Sequence, residues 1–454
     1  MTHPLDHLPR AGHGSDSATL EAKFSDLHPP LTQRQAFIES QRCLYCYDAP
    51  CVEACPSDID IPRFIREIAE DNINGAAQTI LEENILGGSC ARVCPTEILC
   101  EQSCVRNHDA ECQPVLIGLL QRHAIDHMHF EGHPFVRAAD TGKHIAIVGA
   151  GPAGLSCAHR LATYGHRVTI FEAEAKPGGL NEYGIARYKL IDDYAQREID
   201  FLLEIGGIEI RHGQRLGDNL ELETLQRDYD SVFLGLGLGA SRRLGLTGEH
   251  APGLMPATDY IHQLRQADDL SELPLARRCV VIGAGNTAID MAVQMARLGA
   301  DAVTLVYRRG NESMSATGHE QEIAKANGVR IVTWAQPEQV LIDEAGRVSG
   351  MRFARTESRG GALATTGETL DIPADAVFSA IGQAFAENSL NGVQLAREAG
   401  KIEVDGNFRT RLAGVYAGGD CIAAGQDLTV QAVQHGKLAA QAIHNEIMAQ
   451  QEVA

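Results

Sequence analysis

Basic residues are scarce in this 454-residue chain: 39 Lys and Arg stand against 60 Asp and Glu, a net charge of −21. That balance excludes the basic face a nucleic-acid binder needs and removes any attraction to an anionic membrane surface. No apolar run comes near the roughly 18 residues of a transmembrane helix, and the opening MTHPLDHLPRAGHGSDS lacks the apolar core of a signal peptide. A cytoplasmic protein with no nucleic-acid and no membrane partner is expected. That compartment keeps thiols reduced, so the twelve cysteines point to metal or redox chemistry and not to a disulfide framework. Glycine is plentiful, 45 residues in a composition 44% hydrophobic and 22% charged, as in a globular α/β protein. The length suggests about three domains.

Eight of the twelve cysteines lie between Cys43 and Cys104. Residues 1 to about 30 are polar and carry no apolar periodicity, so they read as an arm that is ordered only if it lies on another surface. From Thr32 to about His129 the pattern is helical, with loops at the cysteines, and HFEGHPFVRAADTGK reads as a linker. At His144 the texture changes to HIAIVGAGPAG, a helix and RVTIFEA, which make a β-α-β unit. RRCVVIGAGNTAIDMAVQMARLGADAVTLVYRR repeats that grammar, and TRLAGVYAGGDCIAAGQDLTVQAVQHGKLAAQAI closes the chain with a strand, a glycine turn and a helix. The expected fold is α/β: an N-terminal α-helical domain that carries the cysteine groups (1–140), followed by two Rossmann-like nucleotide-binding domains. The second (256–374) is inserted into the first (141–255 and 375–454).

Cys43, Cys46, Cys51 and Cys55 form C-x2-C-x4-C-x3-C-P, and Cys90, Cys94, Cys100 and Cys104 form a second group in which Cys94 precedes a proline. Short spacings ending in C-P mark ferredoxin-type clusters, in which three nearby thiolates hold one cluster and a distant fourth serves another. Zinc competes, since C-x2-C occurs in zinc sites too, but the C-P endings and the nucleotide folds downstream favour two 4Fe-4S clusters. Spacing leaves open whether Cys90 is a ligand or a small buried hydrophobe. Cys112, Cys157, Cys279 and Cys421 are scattered and read as structural.

Gly149, Gly151 and Gly154 form G-x-G-x-x-G between a strand and a helix, so helix N-terminal amides can meet a pyrophosphate, and Glu172 at the end of the second strand suits a ribose hydroxyl. Gly283, Gly285 and Ala288 form the second motif, with Asn286 and Thr287 between them. Its second strand ends in Tyr307-Arg308-Arg309 instead of an acid. Two guanidinium groups there can clamp a 2′-phosphate and select NADP, or stack on adenine and pair with a pyrophosphate in an NAD site. The turn Gly418-Gly419-Asp420 suits a flavin, with the carboxylate on the ribityl chain and the helix from Thr429 aiming a positive end at the isoalloxazine.

With these residues placed, the sequence resembles the family that includes the small subunit of glutamate synthase and the N-terminal half of dihydropyrimidine dehydrogenase, over about residues 30 to 447. The cysteine pattern, FLGLGLG at 233–239, MRFARTE at 351–357 and VYAGGD at 415–420 bring it nearer the latter. In extent it is similar to the separate flavin and iron-sulfur subunit of the bacterial two-subunit dehydrogenase. The resemblance implies that Cys43, Cys46, Cys51 and Cys104 hold one cluster and that Cys55, Cys94, Cys100 and Gln121 hold the other, with Cys90 a spectator. It implies FAD on Gly149, Gly151, Ala153, Gly154, Glu172, Gly179, Leu180, Lys189, Gly419, Asp420 and Thr429. The dinucleotide falls on Ala284, Gly285, Asn286, Thr287, Arg308, Arg309, Ala380, Ile381 and Gly382. A basic residue of the NADP-binding form is Ser315 here, which favours NAD(H), with NADP(H) the alternative.

The expected function is an NAD(P)H-dependent electron-input subunit in which the cofactors do the chemistry and no side chain acts as a general acid or base. The resemblance implies an FMN and iron-sulfur barrel subunit as partner, in a heterotetramer that reduces uracil or thymine to the 5,6-dihydro form. The small subunit of glutamate synthase is the alternative enzyme, and a flavin/iron-sulfur redox sensor the non-enzymatic one. A disulfide reductase is disfavoured because residues 250–375 hold only Cys279 and no C-x-x-C pair.

Overall fold

The structure, a computed structural model, describes residues 3–13, 16–110, 112–386, 390, 393 and 395–453. They fold as two compact units. One takes residues up to Leu27, Tyr183–Ile191 and Ala240–Ala384; the other takes His28–Glu182, Asp192–Gly239 and Phe385 onwards.

The larger unit begins with helices whose starts are written locally. Thr32 and Gln35 close a capping box on Gln33–Ser40, Asp60 caps Ile61–Ala69 with Pro62 in its first turn, and Asn72 caps Ile73–Glu83. Gly87–Val93 and Ile117–Asp126 follow, and the cysteines sit at or between these short helices. A five-stranded parallel sheet follows, in the order Val415–Ala417, Ser231–Leu234, His144–Val148, Arg167–Phe171, Ile208–Arg211. Phe64, Ile80 and Leu120 from the helices share one core with Ile147, Leu155 and Ile443 of the sheet layer. Burying these residues together holds the cysteine loops against the nucleotide fold, at about 25 cal/mol per Å² of apolar surface.

The other unit has a second parallel sheet, in the order Leu254–Pro256, Ala376–Ala380, Arg278–Gly283, Ala302–Val306, Arg330–Val332. An antiparallel ribbon of Ala335–Ile342, Val348–Arg359 and Ala362–Pro373 is appended to it. The N-terminal arm lies on this unit. Leu5, Leu20 and Phe24 are buried in its core, and Ala11 N donates to Leu273 O at 2.9 Å. Its apolar anchors are too far apart to show as periodicity, so only the tertiary contacts reveal the arm's place. Among the described residues no helix is long and apolar enough to cross a membrane.

Candidate flavin, dinucleotide and iron-sulfur sites

The first glycine motif builds a cradle made of backbone. Strand His144–Val148 ends at Gly149, whose φ of +99° favours glycine, and a Cβ there would collide with Gly235 O. A Cβ on Gly179, at φ +53°, would stand 2.8 Å from Gly151 Cα, and one on Gly419, at φ +78°, would stand 2.9 Å from Ala153 Cβ. Gly149, Gly151, Ala153, Gly154, Gly179 and Gly419 therefore converge around the start of helix Pro152–Thr163, the fit a pyrophosphate requires. Glu172 is buried at the end of its strand, where it accepts Ala150 N at 2.7 Å and Glu174 N at 2.8 Å. Burial pushes its carboxyl above the usual range, against those hydrogen bonds.

Asp420 lies in the 3-10 turn Gly419–Cys421, and burial, with Asp427 adding and Lys401 opposing, pushes its carboxyl up to about 6. Thr429 opens the C-terminal helix Thr429–Val453 and donates to Asn181 Oδ1 at 3.0 Å. This ties the helix start to the short helix Leu180–Tyr183, where Leu180 is 40% exposed. Lys189 belongs to the other unit. Its Nζ lies 2.8 Å from Asp290 and 2.5 Å from Glu320, and the Tyr188 hydroxyl donates to Asp290 at 2.9 Å. The ammonium is thus held by two carboxylates of the second nucleotide fold.

In that fold strand Arg278–Gly283 ends at Gly283, where a Cβ would collide with Ala380 O. The turn Ala284–Thr287 and the segment Ala380–Gly382 are therefore immediate neighbours. Asn286 opens helix Asn286–Leu298, and its buried Oδ1 has no hydrogen-bond partner among the described residues, an acceptor that a bound dinucleotide would satisfy. Ser315 Oγ donates to Ala284 O at 3.4 Å and would lie 3.3 Å from a Cβ on Gly285, which puts it at the glycine turn. Arg308 and Arg309 are exposed beyond strand Ala302–Val306 and have no ion-pair partner among the described residues.

The cysteines assemble in two sets. Cys43, Cys46, Cys51 and Cys104 line one cavity with Leu44 and Arg106. The Cys94 thiol hydrogen-bonds with Cys90 and feels Cys100 and Cys55. Burial is the main cause that raises Cys43, and it pushes Cys51 up to about 12 with Cys43 and Cys104 adding. At Cys100 burial again leads, followed by Glu101 and Cys55; at Cys94 the Cys90 hydrogen bond leads, followed by burial. Buried thiols crowded in this way resist ionisation, and a cationic metal centre among them would reverse the electrostatics. Among the described residues no group of three or more His, Cys, Asp or Glu is close enough for a single metal ion. Gln121 is buried on Ile117–Asp126; its Nε2 donates to Gly87 O at 2.7 Å and, among the described residues, its Oε1 accepts no hydrogen bond. Cys157, Cys279 and Cys421 are buried singly, and Cys112 is exposed.

Glu198, which no motif marks, is a buried residue supporting the cysteine-bearing helices that sequence reasoning missed. It reaches from helix Tyr194–Leu203 to the start of Gly87–Val93, the helix that carries Cys90, and accepts Gly88 N at 2.8 Å, Ser89 N at 2.9 Å and the Ser89 hydroxyl. Burial pushes its carboxyl up to about 7 against those bonds and Arg92. A partner 109 residues away leaves no local signal.

Residues 143–436 match the family described as pyridine nucleotide-disulphide oxidoreductase, and residues 20–133 match dihydropyrimidine dehydrogenase domain II, 4Fe-4S cluster. The chain is 36% identical to the NAD-dependent dihydropyrimidine dehydrogenase subunit PreT of Escherichia coli, over 93% of this chain and 97% of that one. It is 34% identical to the glutamate synthase [NADPH] small chain of the same organism, over 93% and 94%. Among solved structures it shares its fold with Mycobacterium tuberculosis FprA (TM-score 0.58, 18% identity, 68% of this chain and 86% of that one). Thioredoxin reductase of T. acidophilum is similar at TM-score 0.54 and 22% identity, over 67% and 99%. FAD and NAD(P)H binding and a 4Fe-4S domain follow from these matches, as does the α/β, Rossmann-type fold. The chain is an oxidoreductase that belongs to the pyridine nucleotide-disulphide oxidoreductase family, in the group that joins those folds to an N-terminal 4Fe-4S domain and holds PreT and the glutamate synthase small chain.

Proposed function

We propose that this chain is the electron-input subunit of a cytoplasmic, NAD-linked dihydropyrimidine dehydrogenase. The observation that supports the reading is the single core shared by the cysteine-bearing helices and the first glycine turn, which would hold two redox sites within one compact unit. We divide the chain into a cluster domain to residue 140, a flavin domain of 141–255 and 375–454, and a dinucleotide domain between them. Bound FAD supplies the ability to take two electrons together and release them singly.

The chain's own residues bind and orient. Glycine backbone and the start of helix Pro152–Thr163 hold the pyrophosphate, Glu172 a ribose, and Asp420 the ribityl chain, while Leu180 and Thr429 bound the ring. Lys189 completes the flavin assignments that the family resemblance implies. Ala284–Thr287 and Ala380–Gly382 seat the dinucleotide, and Arg308 and Arg309 meet its adenosine end. Cys43, Cys46, Cys51 and Cys104 hold one 4Fe-4S cluster, and Cys55, Cys94, Cys100 and Gln121 the other. The free Oε1 of Gln121 and the Gly87 contact that orients its amide support that last ligand. Ser315, where a third cation would favour a 2′-phosphate, supports NADH. The partner is a barrel subunit with FMN and further clusters, joined in a heterotetramer, where uracil or thymine is reduced.

The similarity to the glutamate synthase small chain favours one other reading, the same electron input with a different acceptor. Anaerobic oxidation of NADH and NADPH by the chain mixed with its barrel partner tests the proposal. Uracil-dependent turnover that needs both chains supports it. Dye reduction with uracil inert overturns the pyrimidine assignment and passes the role to glutamate formation.

A further inference from the structure

Trp334 is the chain's one tryptophan, and its backbone has a φ of +57°. A bulky side chain in the left-handed region is a true outlier, because its Cβ crowds the backbone there and glycine would relieve it. The strain persists because the neighbourhood over-determines it. Trp334 N donates to Arg309 O at 3.1 Å, Thr356 N donates to Trp334 O at 3.0 Å, and the Thr356 hydroxyl donates to Arg308 O at 2.8 Å. The indole is partly exposed and, among the described residues, has no hydrogen bond or ring contact. A turn that glycine would close without steric strain instead carries the largest side chain.

Its position supplies the explanation. Strands Arg278–Gly283, Ala302–Val306 and Arg330–Val332 run parallel, with Val306 paired to Val332. Trp334 follows the third strand at the same carboxyl edge where the glycine turn follows the first and Arg308-Arg309 the second. Ligands of open α/β sheets bind at that edge. Arg355 on the ribbon pairs with Ala335 and donates to Thr333 O at 3.4 Å. A partly exposed indole is thus flanked by three guanidinium-bearing residues in a chain of net charge −21, a combination suited to an aromatic base carrying phosphate.

We propose that Trp334 is a binding residue of the dinucleotide site, its indole stacking on the adenine while Arg308 and Arg309 meet the adenosine phosphates. The assignment rests on the reading of the second motif as a dinucleotide site. ADP-ribose, which lacks nicotinamide, is the probe, added to the FAD- and cluster-loaded protein. The intrinsic fluorescence of Trp334, the single indole present, should change saturably with ADP-ribose, and NADH should compete. By calorimetry Trp334→Gly, which relieves the backbone, should raise the Kd for ADP-ribose by roughly five- to a hundredfold, the range base stacking carries. Trp334→Phe keeps a ring and should stay within about fivefold of the parent. Calorimetric binding with silent fluorescence and an unchanged Kd in both variants overturns the role of Trp334 and leaves the site standing. No calorimetric binding to the parent protein overturns the site and the role together.

Discussion

Gly436 tests whether the flavin cradle is set by helix packing. It lies inside helix Thr429–Val453, where intrinsic propensity alone makes alanine better than glycine by about 1 kcal/mol. A Cβ there, however, would overlap Ala153 O and stand 2.9 Å from Cys157 N and 3.0 Å from Ala153 C. All three are backbone atoms of helix Pro152–Thr163, so no side-chain rotation relieves the contact. Overpacking of this kind costs about 1–3 kcal/mol, and rigid opposing backbone puts Gly436→Ala near the upper end. After the propensity gain the net loss is about 2 kcal/mol, or roughly 4–8 °C at 2–4 °C per kcal/mol for a unit of this size. Because Ala153 borders Gly419 in the cradle, FAD should also bind more weakly. The assay is the temperature at which flavin fluorescence is released, with FAD content after purification. A release temperature equal to or above that of the parent would refute the packing argument, since propensity would then have won.

Glu198→Ala should orphan Gly88 N, Ser89 N and the Ser89 hydroxyl in a buried site, at about 3 kcal/mol or more, and so speed local amide exchange over residues 87–94 roughly a hundredfold. Unchanged exchange there would contradict the account. Burial and His444 push His166 down to about 4, so it stays neutral in the fold while the unfolded chain takes up a proton below 6.5. His166 therefore costs stability as pH falls from 6.5 to about 4, by up to about 1.4 kcal/mol per pH unit. The denaturant midpoint of His166→Asn should depend less steeply on pH over that window, and parallel profiles would count against it. Cys46→Ser and Cys94→Ser should each lose about half the iron per flavin, whereas Cys90→Ser should keep all of it; iron loss in Cys90→Ser would move that residue into the ligand set.

Much of this architecture is legible in the sequence because it is written in local grammar. The two G-x-G-x-x-G/A turns need glycine for steric reasons that leave a fixed spacing, and the cysteine groups are dense enough to stand out from any background. The helix starts at Thr32, Asp60 and Asn72 carry their own capping residues. What stays hidden is long-range. The arm's burial through Leu5, Leu20 and Phe24 depends on a surface made some 250 residues later, and Glu198 finds its helix across 109 residues. Lys189 shows the same limit. Its ammonium pairs with Asp290 and Glu320, more than 100 residues later, which no local pattern announces. Trp334 is visible as a residue but not as an outlier, because φ is set by the ribbon that follows it.

The central claim is that electrons from a reduced nicotinamide enter this chain and reach iron-sulfur clusters within it. The most direct measurement is anaerobic addition of NADH to the purified chain alone, followed by optical and low-temperature EPR spectra, with iron and flavin determined on the same sample. The account predicts about eight irons per flavin, for two 4Fe-4S clusters, loss of the oxidised flavin absorbance, and the EPR signal of reduced clusters. Bleached flavin with no cluster signal in a preparation that contains iron would contradict it.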